Sequence, residues 1–303
     1  MNIQRKSIIW FLTLAFGLAW ILFLLPLAFG SPGSPVRQAA ALVCWSAAMW
    51  APGLAAILVT RFVERESLGR LNFTHLGDKR AYLWAWLLPP VLALLAGVVT
   101  WTLGLGTLDL TFTAMRAQIT SASGTSSLPF PVQVLVAINL SAAITIAPLI
   151  NTLFAFGEEL GWRGYLLPRL LPLGQGRALL LSGVIWGVWH APAILQGHNY
   201  PGHPYLGVLL MVGFCVLLGV ILGWLYLRTG SPWAPALGHG AVNAVASLPL
   251  VFITGVDITY GGTLASLAGW LPMALFIGWL VWSRRLPVST AGVQPAEILF
   301  PEA

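Results

Sequence analysis

Long apolar runs separated by short polar connectors dominate this chain. About 20 consecutive apolar residues are needed to span the hydrocarbon of a bilayer. Eight such runs are predicted: 8–29, 38–60, 81–106, 132–156, 178–195, 206–227, 233–251 and 263–282. The seventh is the most polar, holding Pro235, His239, Asn243, Ser247 and Pro249. The third is long enough to tilt or to include an interfacial turn. The pattern predicts an all-α fold, a polytopic membrane bundle of about eight transmembrane helices making one domain over 1–303.

Composition agrees with that pattern. The chain is 58% hydrophobic and 8% charged, against roughly 25% charged for soluble domains. Placing the N-terminus inside puts thirteen of the fifteen Lys and Arg on the cytoplasmic side, leaving Arg37 and Arg116 outside. Losing any one span after the first would scramble this asymmetry, which the positive-inside rule demands. Both termini are therefore expected to be cytoplasmic. The formal net charge of +6 then describes cytoplasmic loops facing anionic lipid headgroups. No loop combines a basic run with interleaved aromatics, so the charge does not point to nucleic acid. Cys44 and Cys215 both fall inside spans, which supports neither a disulfide framework nor a thiolate metal site. The first run is expected to be a retained span rather than a cleaved signal.

The connectors carry little chemistry. The loop 61–80 mixes both signs, as a solvated interfacial segment would. The loop 107–131 is rich in Ser, Thr and Gly and is expected to be mobile, and the proline-containing tail beyond Arg285 is expected to be disordered. Trp10, Trp84, Trp86, Trp233 and Trp282 sit at span ends, where indoles anchor at headgroup level.

Three polar clusters remain inside the apolar runs. The first is Glu158-Glu159-Leu160-Gly161-Trp162-Arg163. A carboxylate near the bilayer centre costs about 2.5–3.5 kcal/mol on insertion scales, so an intramembrane pair is a functional candidate. Glu159 and Arg163, at i and i+4, share a helix face and can pair. Glu158 points about 100° away and needs a partner from another helix. Asn151, seven residues earlier, shares its face. The second cluster places Trp186 and His190 at i and i+4, and the third places His239 and Asn243 likewise. Taken alone, each cluster also admits a structural role: a helix end at the interface with Arg163 snorkelling, or hydrogen-bonding glue between helices. Taken together, polar groups on several spans should converge on one wet cavity. Glu and His suffice to activate a water and to protonate a leaving amine, and His with Asn can hold an oxyanion. Neither G-x-S-x-G nor H-E-x-x-H is present.

In order, the motifs are Glu-Glu-x-x-x-Arg, aromatic-x-x-x-His and His-x-x-x-Asn. With them the chain resembles the CAAX prenyl endopeptidase type II group, also called the CPBP or abortive-infection family of intramembrane glutamic proteases. The resemblance covers roughly 132–251, the expected catalytic core. It implies an intramembrane endopeptidase that cleaves a hydrophobic or lipidated peptide, a prenylated C-terminus included, near the cytoplasmic face. It implies Glu158 and His190 as activators of the attacking water and His239 and Asn243 as oxyanion ligands. Glu159, Arg163, Trp186 and Asn151 take supporting places. No cofactor and no metal are implied. The second motif usually begins with Phe, where this chain has Trp186, a larger aromatic that would reshape the substrate cleft. Eight short-looped spans without a targeting extension point to a bacterial plasma membrane.

Other readings use the same residues differently. Glu158, His190 and His239 would supply three ligands to a catalytic zinc with an open fourth position. A non-catalytic binding or immunity scaffold would use the cluster as glue. A proton-coupled transporter would use Glu and His as a relay, although the chain halves show no repeat.

Overall fold

Prolines and glycines decide where the apolar runs bend and how closely they pack. The computed structural model describes residues 3–123, 128 and 130–288. The helices are α1 Ile3–Leu24, α2 Pro35–Ala48, α3 Ala51–Leu58, α4 Arg80–Thr102, α5 Thr113–Ser123, α6 Val132–Ile144 and α7 Ile146–Glu159. They continue with α8 Leu167–Leu170, α9 Gln175–Trp189, α10 Ala191–Leu195, α11 Pro204–Thr229, α12 Trp233–Val245 and α13 Leu267–Trp282. A two-residue ladder, β1 Thr107–Leu108 with β2 Ile253–Thr254, ties the loops after α4 and α12 together, pairing Thr107 with Thr254 and Leu108 with Ile253.

The fold is an all-α helical membrane bundle, and helix occupies most of each of the eight predicted runs. Among the described residues, four helical stretches are long and apolar enough to cross a membrane: Arg5–Ala28, Pro35–Val63, Arg80–Thr102 and Pro204–Thr229. A fifth joins Val132–Ile144 to Ile146–Leu173 through a 42° bend. Pro148 explains the bend. It has no N–H to give Ile144, four residues back, so the helical ladder breaks there. The indole Nε1–H of Trp86 on α4 donates to that carbonyl instead, at 2.6 Å. Trp86, expected only as an interfacial anchor, thus closes a gap in a neighbouring helix.

Past α7 the helix does not stop at residue 156, where the fourth apolar run ends. It widens into a π-type stretch, Leu160–Leu166, and continues through α8. Phe156 to Leu167 are buried without exception. Arg163, counted from sequence among the cytoplasmic loop cations, is 1% exposed inside the bundle. The interfacial-cap alternative for Glu158 and Glu159 is therefore overturned by their burial.

Close approach of backbones brings the polar helices together. α12 packs chiefly on α7 and α4, and α9 on α11. A Cβ on Gly240 of α12 would lie 2.6 Å from the Thr152 nitrogen of α7, and one on Gly183 of α9 would lie 2.7 Å from the Val216 Cα of α11. Small residues at such crossings are the usual means by which membrane helices approach.

The loop 61–80 is less solvated than its mixed charge suggested. Glu64 takes Arg169 at 2.6 Å and the Tyr165 hydroxyl at 2.9 Å, while Arg169 also lies over the Tyr165 ring. Asp78 pairs with Arg228 at the end of α11 at 2.8 Å. The backbone N–H of Arg80, and then the Arg228 guanidinium, hold the Asp78 carboxyl below the usual carboxylate range. In the loop 107–131, α5 is helical where only a mobile segment was expected. Residues 124–127 and 129 of that loop, and the tail 289–303 expected to be disordered, lie outside the described residues.

Candidate active site

The two glutamates end α7 side by side and reach different partners. Glu159 Oε1 accepts two hydrogen bonds, from Arg163 Nη1 at 2.8 Å and from His239 Nδ1 at 2.9 Å. Glu159 is fully buried and Arg163 nearly so. The i to i+4 pairing predicted from spacing forms despite the π-type widening. His239 of α12 was expected beside Asn243 as an oxyanion ligand; it also joins the Glu159–Arg163 pair across the helix crossing.

Glu158 finds its partner on another helix. The indole Nε1–H of Trp186 on α9 donates to Glu158 Oε2 at 2.7 Å. Among the described residues no protein donor reaches Glu158 Oε1. Glu158 is 2% exposed, so this carboxylate sits in the bundle with one neutral donor and one uncommitted oxygen.

His190 ends α9, and Pro192 opens α10 directly after it. Its Nδ1 lies 2.9 Å from the Trp186 carbonyl. A carbonyl only accepts, so Nδ1 carries the proton and Nε2 of the neutral ring keeps a lone pair. The Trp189 ring packs edge-on against His190 at 4.8 Å, and Trp189 Nε1–H is itself anchored on the Ala15 carbonyl at 3.1 Å. The ring is thus held from two sides.

Trp186 is the common neighbour. The Arg163 guanidinium lies 4.4 Å from its ring centre, and His239 meets it edge-on at 5.2 Å. Asn243 stands apart in burial: α12 is buried from Ala234 to Val242, and Asn243 alone on its last turns is exposed. Asn151 on α7 is half-buried. Neither asparagine has a hydrogen bond to another described residue.

Residues 135–245 match the family model described as type II CAAX prenyl endopeptidase, Rce1-like. Over those residues the chain is similar to that family. No curated protein matches the chain significantly. The Rce1-like segment runs from within α6 to the end of α12 and contains every candidate residue named above. The family is membrane-integral, in keeping with the apolar helices, and implies a CAAX protease hydrolase acting on a peptide or protein substrate in a membrane.

Sequence reasoning missed one close neighbour of the site. Cys215 of α11, fully buried and free, places Sγ 3.8 Å from His190 Nδ1. Its only signal was a position among closely packed glycines, which does not single out a thiol. Among the described residues no three His, Cys, Asp or Glu side chains come together as a metal-holding group.

Proposed function

We propose that the protein is an intramembrane endopeptidase in which Glu158 and His190 activate a water against a peptide carbonyl. The supporting observation is the free pair of acceptors: Glu158 Oε1 has no protein donor, and His190 keeps the lone pair of Nε2 because Nδ1–H is given to the Trp186 carbonyl. A water between them donates one proton to each acceptor, and its own lone pair is left for the carbonyl carbon. As the C–O bond forms, Glu158 takes a proton. It then passes to the amide nitrogen, and the C–N bond breaks to give a carboxylic acid and an amine, with Glu158 again unprotonated. His239 Nε2 and the exposed amide of Asn243 are assigned to the oxyanion. Asn151 lines the approach on the α7 side. No step calls for a cofactor or a metal.

The proposal includes eight crossings with both termini cytoplasmic, a bacterial plasma membrane, and a hydrophobic or prenylated C-terminal peptide cleaved near the cytoplasmic face. An exposed asparagine in a buried intramembrane helix favours an open, wet cleft over glue, since a bare amide against lipid is costly.

The test compares peptide termini in membranes holding wild-type protein with membranes holding Glu158→Gln. Gln still offers an oxygen to the Trp186 N–H, so the fold is kept. New C-termini are expected with wild type only, and they would identify the substrate and the scissile bond. Identical termini from two folded, equally abundant proteins would refute the proposal.

A further inference from the structure

We infer that Trp186 is a positioning residue that holds both water-activating groups, Glu158 through its indole and His190 through its main-chain carbonyl; the inference rests on the hydrolytic reading above. The Nε1–H fixes Glu158 Oε2 at 2.7 Å, and the main-chain carbonyl of the same residue fixes His190 Nδ1 at 2.9 Å. One residue therefore decides which oxygen of Glu158 and which nitrogen of His190 remain available. Both free atoms are acceptors, as a water with two protons requires.

The geometry leaves the indole little freedom. Trp186 is 2% exposed. Arg163 covers its face at 4.4 Å, and His239 closes on it at 5.2 Å with the rings 72° apart. The guanidinium over the ring is itself tied to Glu159 at 2.8 Å. The buried ion pair thus holds the indole, and the indole holds the base. Among the described residues Glu158 has no cation at hydrogen-bonding distance; Arg163 Nη1 bonds Glu159 instead. The Trp186 N–H is its sole protein donor among the described residues. A carboxylate deprived of that donor would rotate about its last bonds, and its free oxygen would no longer be aimed with His190 at one water. Misplacement of a reacting group by a fraction of an ångström is enough to slow an enzyme strongly.

The perturbation that isolates the N–H is replacement of Trp186 by 3-benzothienylalanine, which keeps the bicyclic shape and puts sulfur where the N–H was. Trp186→Phe serves as the genetically simple companion. Loss of a hydrogen bond to a charged group predicts kcat lower by about 10- to 100-fold. KM should stay within about twofold, because the indole holds the base and not the peptide. A merely structural role would lower yield and melting temperature and leave the kcat of the folded fraction alone.

A second readout needs no turnover. Among the fifteen tryptophans, the indole N–H resonance of Trp186 is the one that vanishes in Trp186→Phe. It is expected to shift when Glu158 is changed to Ala. A resonance indifferent to Glu158 would overturn the inference. So would wild-type kcat in the benzothienyl variant while Glu158→Gln is inactive. Wild-type turnover in Glu158→Gln would instead remove the hydrolytic reading, and the inference with it.

Discussion

Removing the buried ion pair whole should cost no more than breaking it from one side. Glu159 is fully buried and Arg163 is 1% exposed, with 2.8 Å between Oε1 and Nη1. Arg163→Met keeps most of the side-chain volume and leaves Glu159 with His239 alone. Glu159→Gln keeps an acceptor for both neighbours and leaves Arg163 without its counter-charge. Removing one partner of a buried pair typically costs about 3–5 kcal/mol, because the other charge stays desolvated. Arg163→Met also forfeits the stacking on Trp186, worth up to about 2 kcal/mol where water is excluded. Independent effects would bring the double variant to about 6–10 kcal/mol or more. If the penalty is instead the stranded charge, the double variant strands none and should cost about as much as one single variant. The assay is denaturant unfolding in mixed micelles of all four proteins. A double variant whose loss equals the sum of the singles would refute the reasoning. It would mean that each group is held by contacts other than the other.

Two further outcomes follow from the packing and the loops. Gly240→Ala would place a Cβ 2.6 Å from the Thr152 nitrogen and 2.8 Å from the Pro148 oxygen, both backbone, so α12 must lift off α7. A loss of about 1–3 kcal/mol is expected, with peptidase activity falling because His239 is the adjacent residue. Gly176→Ala, whose added Cβ meets nothing within 4 Å, is the control and should melt no lower than wild type. In the loop before α4, the Asp78 carboxyl lies below its ordinary range because of the Arg80 N–H and Arg228. Its contribution is therefore present above the unfolded value, near about 3.9, and is lost as pH falls through the lower folded one. Melting in detergent should decline less steeply below about pH 4 for Asp78→Asn than for wild type; parallel curves would show that this carboxylate does not contribute.

What the sequence made legible follows helix periodicity. The Glu159–Arg163 pair was read from i to i+4 spacing, and the contrast between a paired and an unpaired glutamate came from the 100° step between neighbours. The apolar runs gave the helices because a bilayer tolerates little else. Contacts between helices were not legible, since they depend on crossing points set by glycines and on the bend at Pro148. Hence the His239–Glu159 bond and the Trp186–Glu158 bond both came only with the structure. The end of the fourth run was misplaced for a related reason. Charges at 158, 159 and 163 look like the start of a loop when polarity alone is counted, yet the Glu159–Arg163 pair and the Trp186–Glu158 bond hold them inside the bundle, and the helix continues to Leu170. Asn243 illustrates the limit of shared faces. It lies one turn beyond His239 on the same side of α12, but one is buried and the other exposed.

The hydrogen bonds also constrain how the two proposed halves of the reaction are linked. His239 donates through Nδ1 to Glu159 Oε1, an oxygen already facing the Arg163 guanidinium. A neutral ring with its proton on Nδ1 has only a lone pair at Nε2 and cannot donate to an oxyanion. The oxyanion role therefore requires His239 to hold both ring protons when the tetrahedral state forms. In that state Glu159 faces two cations through one oxygen, and Glu158, the group that must accept a proton, faces none directly. The Glu159 carboxylate and the oxyanion then balance two cations within the bundle, which a low-dielectric interior favours over any net charge. On the proposed reading the neighbouring glutamates differ by wiring: Glu159 accepts from His239 and Arg163, and Glu158, bonded only by the Trp186 N–H, is the base.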